Sequence, residues 1–166
     1  MKLEQYQSAI ESSNIISKTD IFGIITFVND EFCKISGYTK EELVGKNHNI
    51  VRHPDVPAST FRQLWQTILQ KKTYKSTVKN LAKDGSTFYV NTTVFPILDE
   101  NGEIEEFIAI RYDVTESVRL SEALITKDEE LEELNATLEQ RVKEQTKALT
   151  ELNQTLEERV KIGRAH

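Results

Sequence analysis

The chain has 166 residues, of which 38% are hydrophobic and 29% charged, and its formal net charge at pH 7 is −6. One domain plus an appendage fits this length. The single cysteine, Cys33, excludes an internal disulfide framework and a metal site built from several thiolates. A net negative charge without a run of Lys and Arg argues against nucleic acid as the main partner. Because no apolar stretch of about 18 residues and no secretory signal occur, we expect a cytoplasmic protein without a membrane span.

Residue types are unevenly distributed along the chain, and this divides it into segments. All 13 aromatic residues precede Asp113, and no glycine or proline lies between Asp113 and Ile162. Between Glu116 and Lys161, acidic residues outnumber basic ones by 12 to 7. We therefore predict a cap helix over residues 1–13, a packed domain over residues 14–116 and a helical segment over residues 117–161.

The first part of the packed domain predicts strand and then short helices. Ile21–Val28 is rich in β-branched and aromatic residues, which predicts one strand, or two short ones around Gly23. Asn29 is a good N-cap for a helix that ends at Gly37. A second short helix is predicted over Lys40–Leu43.

The second part begins with an irregular polar segment and continues into helix and sheet. Lys46–Pro57 holds two prolines, two histidines, an arginine and an aspartate, and it is the chemically densest stretch. The apolar residues after it recur at helical spacing from Phe61 to Leu69, which predicts a helix packed along a sheet. Turns with Asp or Asn before Gly then separate three predicted strands, over Tyr74–Ala82, Ser86–Leu98 and Ile104–Val114. The fold class is therefore α+β.

This order of elements, together with three stretches of sequence, resembles a PAS domain. The stretches are FVNDEFCKISGYTKEELVGK, LAKDGSTFYVNTTVFPILDENG and IRYDVTE, and the resemblance covers about residues 10–116. It implies a five-stranded antiparallel sheet with short helices on one side, curled around a ligand cavity. IVRHPDVPASTFRQLW and VKNLAKDG are similar to the flavin-binding PAS sensors of bacterial aerotaxis receptors, which implies FAD as the cofactor.

The same resemblance implies cofactor-binding roles for six residues, namely Asn29, Arg52, His53, Asp55, Trp65 and Asn80. Strand alternation places the Asn80 side chain on the inner face of the sheet. A buried amide without a hydrogen-bond partner would lower the folding stability by about 1–3 kcal/mol. A flavin edge and nearby backbone are both possible partners. Trp65 would stack on a flavin or fill the core. Arg52 and His53 suit a pyrophosphate or a reduced flavin. The alternative is a loop role in which Asp55 caps the next helix.

Other cofactors and enzymatic activities have less support in the sequence. Photosensing PAS relatives use a cysteine in the irregular segment, and its absence from Asn47–His53 argues against blue-light adduct chemistry. His48 or His53 would serve as an axial ligand if the cofactor were heme. A pocket that is empty or holds a small metabolite is a further alternative. No glycine-rich phosphate loop, GxSxG or HExxH motif occurs, so we expect no catalysis by this chain.

The helical segment carries a repeating apolar seam. Its apolar residues are spaced three or four positions apart, and Gln145 occupies the one seam position that is not apolar. This spacing is typical of a coiled coil. ELNATLEQRVK recurs after 18 residues as ELNQTLEERVK, which predicts a nearly straight bundle. A lone helix would expose this seam, so we predict a homodimer, with a single solvated helix as the alternative. The seam residues are Leu131, Leu134, Leu138, Val142, Leu149, Leu152, Leu156 and Val160.

The junction between the packed domain and the helix suggests how a signal leaves the domain. Asp113 and Thr115 belong to a phrase, DVTE, that resembles the motif joining the last PAS strand to a signalling helix, which implies a relay role. The seam segment resembles linkers that precede histidine kinase domains. We therefore expect a sensory input module whose output domain lies outside this chain. A chemoreceptor or diguanylate cyclase output, and a cofactor-free dimerisation and docking module, are the alternatives. Residues 162–166 resemble translated adapter sequence and are expected to be a non-native tail.

Overall fold

A computed structural model describes residues 1–165 and confirms the predicted PAS fold. The helices are α1 (Lys2–Ser13), α2 (Asp30–Ser36), α3 (Lys40–Leu43), α4 (Ala58–Leu69) and α5 (Thr115–Ala165). The strands are β1 (Ile15–Thr19), β2 (Ile25–Val28), β3 (Tyr74–Leu81), β4 (Thr87–Leu98) and β5 (Ile104–Asp113). A short 3-10 helix, His48–Val51, lies in the irregular segment. The strands form one antiparallel sheet in the order β2-β1-β5-β4-β3.

The predicted strand over Ile21–Val28 is wrong in its first half. Asp20 begins a turn in which its carboxylate oxygen accepts hydrogen bonds from the backbone N–H groups of Phe22, at 2.9 Å, and Ile24, at 3.0 Å. Gly23 completes the turn with a φ of +82°. The first strand is instead β1, which pairs with both β2 and β5. The apolar run therefore contains a hairpin turn, and only its second half extends as a strand.

The two predicted short helices are confirmed, and their ends follow from local hydrogen bonds. Gly37 ends α2 in the left-handed conformation, with a φ of +77°, and its N–H donates to the Cys33 carbonyl. Thr39 and Glu42 form a capping box at the start of α3, because each side chain accepts from the other residue's backbone N–H.

The core of residues 1–118 consists of two apolar clusters against one face of the sheet. The first lies under α2 and α3 and includes Phe32 and Leu43, and the second lies under α4 and includes Ile68 and Phe107. Each fully buried side chain of this size contributes about 1.5–3 kcal/mol to folding. Residues from both clusters line a single cavity.

Residues 119–165 belong to α5 and form a second unit. The side chains of the predicted seam are 47–62% exposed on this helix. Residues 162–165 of the expected tail continue the helix, and His166 lies outside the described residues. Across residues 1–165, no helix combines the length and the apolar character that a membrane span requires.

Candidate functional site

The cavity lies between α4, the 3-10 helix and the inner face of the sheet. The cavity itself has a volume of about 130 Å³ and is open to solvent on one side, so it is smaller than the roughly 300–1,000 Å³ usual for small-molecule sites. Its apolar wall includes Leu64, Trp65 and Ile68 of α4 and Phe107 of β5. A cavity that is mostly apolar and open on one side is suited to a ligand with an apolar part inside and a polar part at the mouth.

Three of the six predicted cofactor-binding residues line the cavity, namely Arg52, Trp65 and Asn80. The Trp65 ring meets the Phe107 ring edge to face, with centroids 5.7 Å apart. Trp65 also packs on Gly23, where an added Cβ would lie 3.0 Å from the indole. Exposed Arg52 stacks on Phe61, its guanidinium carbon 3.5 Å from the ring centroid. Trp65 is thus held from two sides, and Arg52 places a cation where the cavity meets solvent.

Asn80 points into the cavity wall, as strand alternation predicts, and only 6% of it is exposed. With its amide assigned in the orientation that satisfies both the oxygen and the nitrogen, the nitrogen donates to the backbone carbonyl oxygens of Val51 and Lys79, both at 3.2 Å. The backbones of Asn80 and Arg52 also form a β-bridge. Asn80 therefore ties the 3-10 helix to β3, and this backbone role accounts for its amide nitrogen.

Asn29 does not line the cavity, because its side chain is used to join α1, β1 and α2. Its oxygen accepts from the backbone N–H groups of Ile16, at 3.0 Å, and Phe32, at 3.1 Å. Its nitrogen donates to the carbonyl oxygens of Glu11, at 2.7 Å, and Asn14, at 2.6 Å. All of these bonds are to backbone, so Asn29 has a structural role as an N-cap and connector.

His53 and Asp55 also lie outside the cavity lining. His53 is buried, and its Nδ1 accepts from the Asp55 backbone N–H at 3.1 Å. The Asp55 carboxylate pairs with Lys79 at 3.0 Å, and this hydrogen bond lowers the pKa of Asp55. The expectation that Asp55 caps the next helix is wrong, because Pro57 occupies the N-cap of α4. These two residues fix the loop that leads into α4.

A polar cluster between the sheet and the 3-10 helix was only partly anticipated from the sequence. It consists of Ser17 on β1, His48 of the 3-10 helix and Arg111 on β5, and all three line the cavity. Arg111 donates through Nη1 to the Ser17 hydroxyl at 3.0 Å and contacts His48 Nε2 through Nη2 at 2.9 Å. Ser17 Oγ lies 3.2 Å from the same Nε2. Phe32 packs against both His48 and Arg111.

Burial determines the protonation states within this cluster. It lowers the pKa of Arg111 to about 10, and it lowers the pKa of His48 to about 3, with a further contribution from the Arg111 charge. At neutral pH, Arg111 is therefore charged and His48 is neutral, with Nε2 as the acceptor for Arg111 and Ser17. Because its Nε2 is engaged, His48 is poorly placed as a heme ligand. Within residues 1–165, no Asp or Glu forms an ion pair with Arg111.

Thr92 completes the polar part of the cavity wall. It lies directly opposite Arg111 in the pairing of β4 with β5, and it also lines the cavity. Its hydroxyl is buried and has no hydrogen-bond partner among the described residues. Strand alternation could have identified Arg111 as inward-facing, because it has the same parity on β5 as buried Phe107 and Ala109.

Comparison with known proteins shows which family this arrangement belongs to. A family model described as the PAS fold matches residues 25–111. The chain belongs to the PAS family. This PAS chain is 35% identical in sequence to the aerotaxis receptor of Escherichia coli (strain K12) over 113 residues. The aligned part is 68% of this chain and 22% of the receptor.

A second relative of the PAS chain is blue-light-activated histidine kinase 1 of Erythrobacter litoralis (strain HTCC2594). It is 30% identical over 94 residues, which is 57% of this chain and 26% of the kinase. A light-oxygen-voltage domain solved in work on a flavin analogue shares the fold, with a TM-score of 0.62 at 17% identity, over 78% of this chain and 95% of that one. The chain thus contains a PAS sensory domain and spans about a quarter or less of the two curated relatives.

The two predicted relay residues of the PAS domain form a hydrogen-bonded junction at the end of the sheet. Thr115, the first residue of α5, accepts from the Tyr89 backbone N–H on β4 at 2.9 Å. Asp113 accepts from the Thr115 backbone N–H at 2.9 Å and from its hydroxyl. This junction, Asp113–Thr115 with Tyr89, links the last strand, its neighbour and the start of the helix.

Proposed function

We propose that this PAS domain binds a flavin, as FAD, and serves in the cytoplasm as the redox-sensing input module of a signalling protein whose output domain is a histidine kinase. The observation that carries the proposal is the cavity itself, which has an aromatic wall at Trp65 and a polar floor at Thr92 and Arg111. A flavin has the complementary form, because its ring is planar and largely apolar while one edge carries carbonyl oxygens and ring nitrogens. The similarity to an aerotaxis receptor and to a blue-light-activated kinase supports a sensory ligand.

Each part of the cavity suits one part of that cofactor. Trp65 offers a large apolar surface for the ring. Arg52, exposed and stacked on Phe61, offers a charge-assisted hydrogen bond to a pyrophosphate in solvent. Arg111 and Thr92 offer buried polar groups to the ring edge. A bound flavin would supply a reversible redox change that alters the charge at that edge.

We assign signal transmission to β5 and the junction at its end. Arg111 lies on β5 two residues before Asp113. A change in the contacts of Arg111 would shift β5, and the hydrogen bonds of Asp113 and Thr115 would pass that shift to the start of α5. In this proposal α5 dimerises through its leucine seam and transmits the shift of β5 to the output domain.

The cofactor-free docking alternative makes a different prediction about the cavity. A PAS fold used only for docking needs no internal space, so Phe61 and Trp65 would pack directly onto the sheet. Trp65 does contact Phe107 on β5, but Phe61 and Trp65 also line a cavity that side chains do not fill. This remaining space supports a ligand-binding function.

The test is uptake of flavin by the purified chain. We expect a yellow protein, or one that binds added FAD or FMN, whose absorption bleaches on reduction with dithionite. Trp65→Ala should weaken flavin binding at least tenfold, because it removes the aromatic wall. Phe22→Ala is the matched control, because Phe22 is 75% exposed in the β1–β2 turn and lies outside the cavity. A colourless wild type that takes up neither flavin would refute the proposal, and a Soret band would point to heme.

A further inference from the structure

We propose, on the basis of the flavin function above, that Arg111 and Thr92 bind the carbonyl- and nitrogen-bearing edge of the flavin ring and discriminate its redox state. Reduction by two electrons with uptake of one proton leaves the ring with one negative charge. A cation at this edge therefore binds the reduced ring more tightly than the oxidised ring. We assign the discrimination of the redox state to these buried residues of the sheet and not to the exposed Arg52.

The first observation is that the Arg111 charge is buried without a counter-ion. Only 5% of the residue is exposed, and no carboxylate of the described chain pairs with it. An unpaired charge in such a place is strongly unfavourable unless an anion or several acceptors compensate it. Because Arg111 lines the cavity, a ligand can supply that compensation.

The second observation is that the neighbours of Arg111 position its guanidinium without neutralising it. Ser17 and neutral His48 accept two of its five N–H groups, at 3.0 and 2.9 Å. Both acceptors are uncharged, so the full positive charge remains available. The packing of Phe32 against Arg111 and His48 holds the group in place. Such a fork is suited to a planar acceptor edge, to which it can donate two parallel hydrogen bonds.

The third observation is the unpartnered hydroxyl of Thr92. Buried hydroxyl groups nearly always have a hydrogen-bond partner, and this one has none among the described residues. Thr92 and Arg111 are direct cross-strand partners, whose Cβ atoms lie about 4.5–5.5 Å apart in such pairs. One ligand edge with neighbouring acceptor atoms can therefore contact both residues.

The experiment compares the affinity of ligand-free protein for riboflavin, FMN and FAD, each oxidised and dithionite-reduced, by equilibrium titration. In Arg111→Gln we expect affinity for the oxidised flavins to fall about tenfold and affinity for the reduced flavins about a hundredfold. The preference for the reduced form then falls about tenfold, equivalent to a midpoint potential lower by about 30 mV for a two-electron couple. Arg62→Gln is the matched control, because Arg62 is exposed on α4 and does not line the cavity.

The three flavins separate recognition of the ring from recognition of phosphate. If Arg111 binds the ring, Arg111→Gln weakens riboflavin, FMN and FAD by the same factor. A loss confined to FMN and FAD would mean that Arg111 binds phosphate, and it would overturn the inference. An unchanged ratio of reduced to oxidised affinity would overturn it as well.

Two further measurements keep the test decisive if Arg111→Gln folds poorly. Thr92→Val preserves side-chain shape and removes the hydroxyl, so it should weaken all three flavins several-fold, and an unchanged affinity would contradict the proposal. Arg111→Lys keeps the charge and loses the fork, so it should retain most of the redox preference. A wild type that binds none of the flavins overturns the proposed function and this inference together, whereas equal behaviour of wild type and Arg111→Gln overturns this inference alone.

Discussion

His48 shows how one half-buried residue makes stability depend on pH. Its pKa is about 3 in the folded chain, chiefly because it is buried and also because Arg111 is adjacent, whereas an unfolded histidine titrates near about 6.5. Below pH 6.5 the unfolded state binds a proton that the folded state does not, so stability is full above that pH and falls as the pH drops toward 3.

We therefore predict that the free energy of unfolding falls by about 1.6 kcal/mol between pH 6.5 and pH 5 through His48 alone. His48→Gln should abolish this part of the slope, even if the variant is less stable at every pH. Denaturant unfolding of both proteins across that range measures the difference. Identical slopes would show that His48 is not held neutral in the folded protein.

Gly23 lies in the β1–β2 turn and packs against Trp65. It has a positive φ of +82°, and an added Cβ would lie 3.0 Å from the Trp65 indole. Gly45 has a similar φ of +87° with no atom within 4 Å of such a Cβ. The two glycines therefore carry similar backbone strain on substitution and differ in the contact with Trp65.

We predict that Gly23→Ala and Gly45→Ala both reduce stability, by about 1 kcal/mol or more for the backbone strain, and that Gly23→Ala reduces it further. Gly23→Ala should also weaken ligand binding, because Trp65 must move within the cavity wall. Chemical denaturation and flavin titration of the two variants test this. Equal effects on both readouts would mean that the Trp65 contact is unimportant.

At the scale of elements, local signals were enough for some parts of the fold. Asp84-Gly85 and Asn101-Gly102 locate the turns of the meander, because such pairs favour tight turns, and the strands beside them are found as predicted. β1 was missed because its alternation is short, and because the apolar Ile21 and Phe22 extend the pattern into a turn. The sequence could not indicate that Asp20 closes that turn through its own side chain.

The candidate site was predicted less completely, since contacts between distant residues create it. Strand alternation was sufficient to direct Asn80 inward. It could not reveal that Ser17, His48 and Arg111 come together, because they lie on three elements up to 94 positions apart. Asn29 shows the opposite case, in which the local N-cap role is the one found and the implied cofactor role has no contact to support it.

At the scale of the whole molecule, the apolar surface of α5 requires an explanation beyond the single chain. Its seam leucines and valines are about half exposed. An apolar residue every three or four positions does not stabilise an isolated helix in water, whereas it stabilises a helix that packs against a partner. The exposed seam therefore keeps the homodimer as our prediction. The dimer would also place two sensory domains on one coiled coil, so that the ligand-bound state of each domain would act on the same output domains.

We predict that Leu138→Asp combined with Leu152→Asp converts this dimer into a monomer. Each buried leucine contributes about 1.5–3 kcal/mol to association, and an unpaired carboxylate in the seam opposes it further. Gln140→Asp with Gln154→Asp is the matched control, because each substitution adds the same charge two positions later, on the opposite face of the helix. The control should remain dimeric in sedimentation equilibrium, and both variants should keep the sensory domain folded, since its core precedes Thr115. A wild type that is monomeric at tens of micromolar, or a control that dissociates as readily as the seam variant, would contradict the seam.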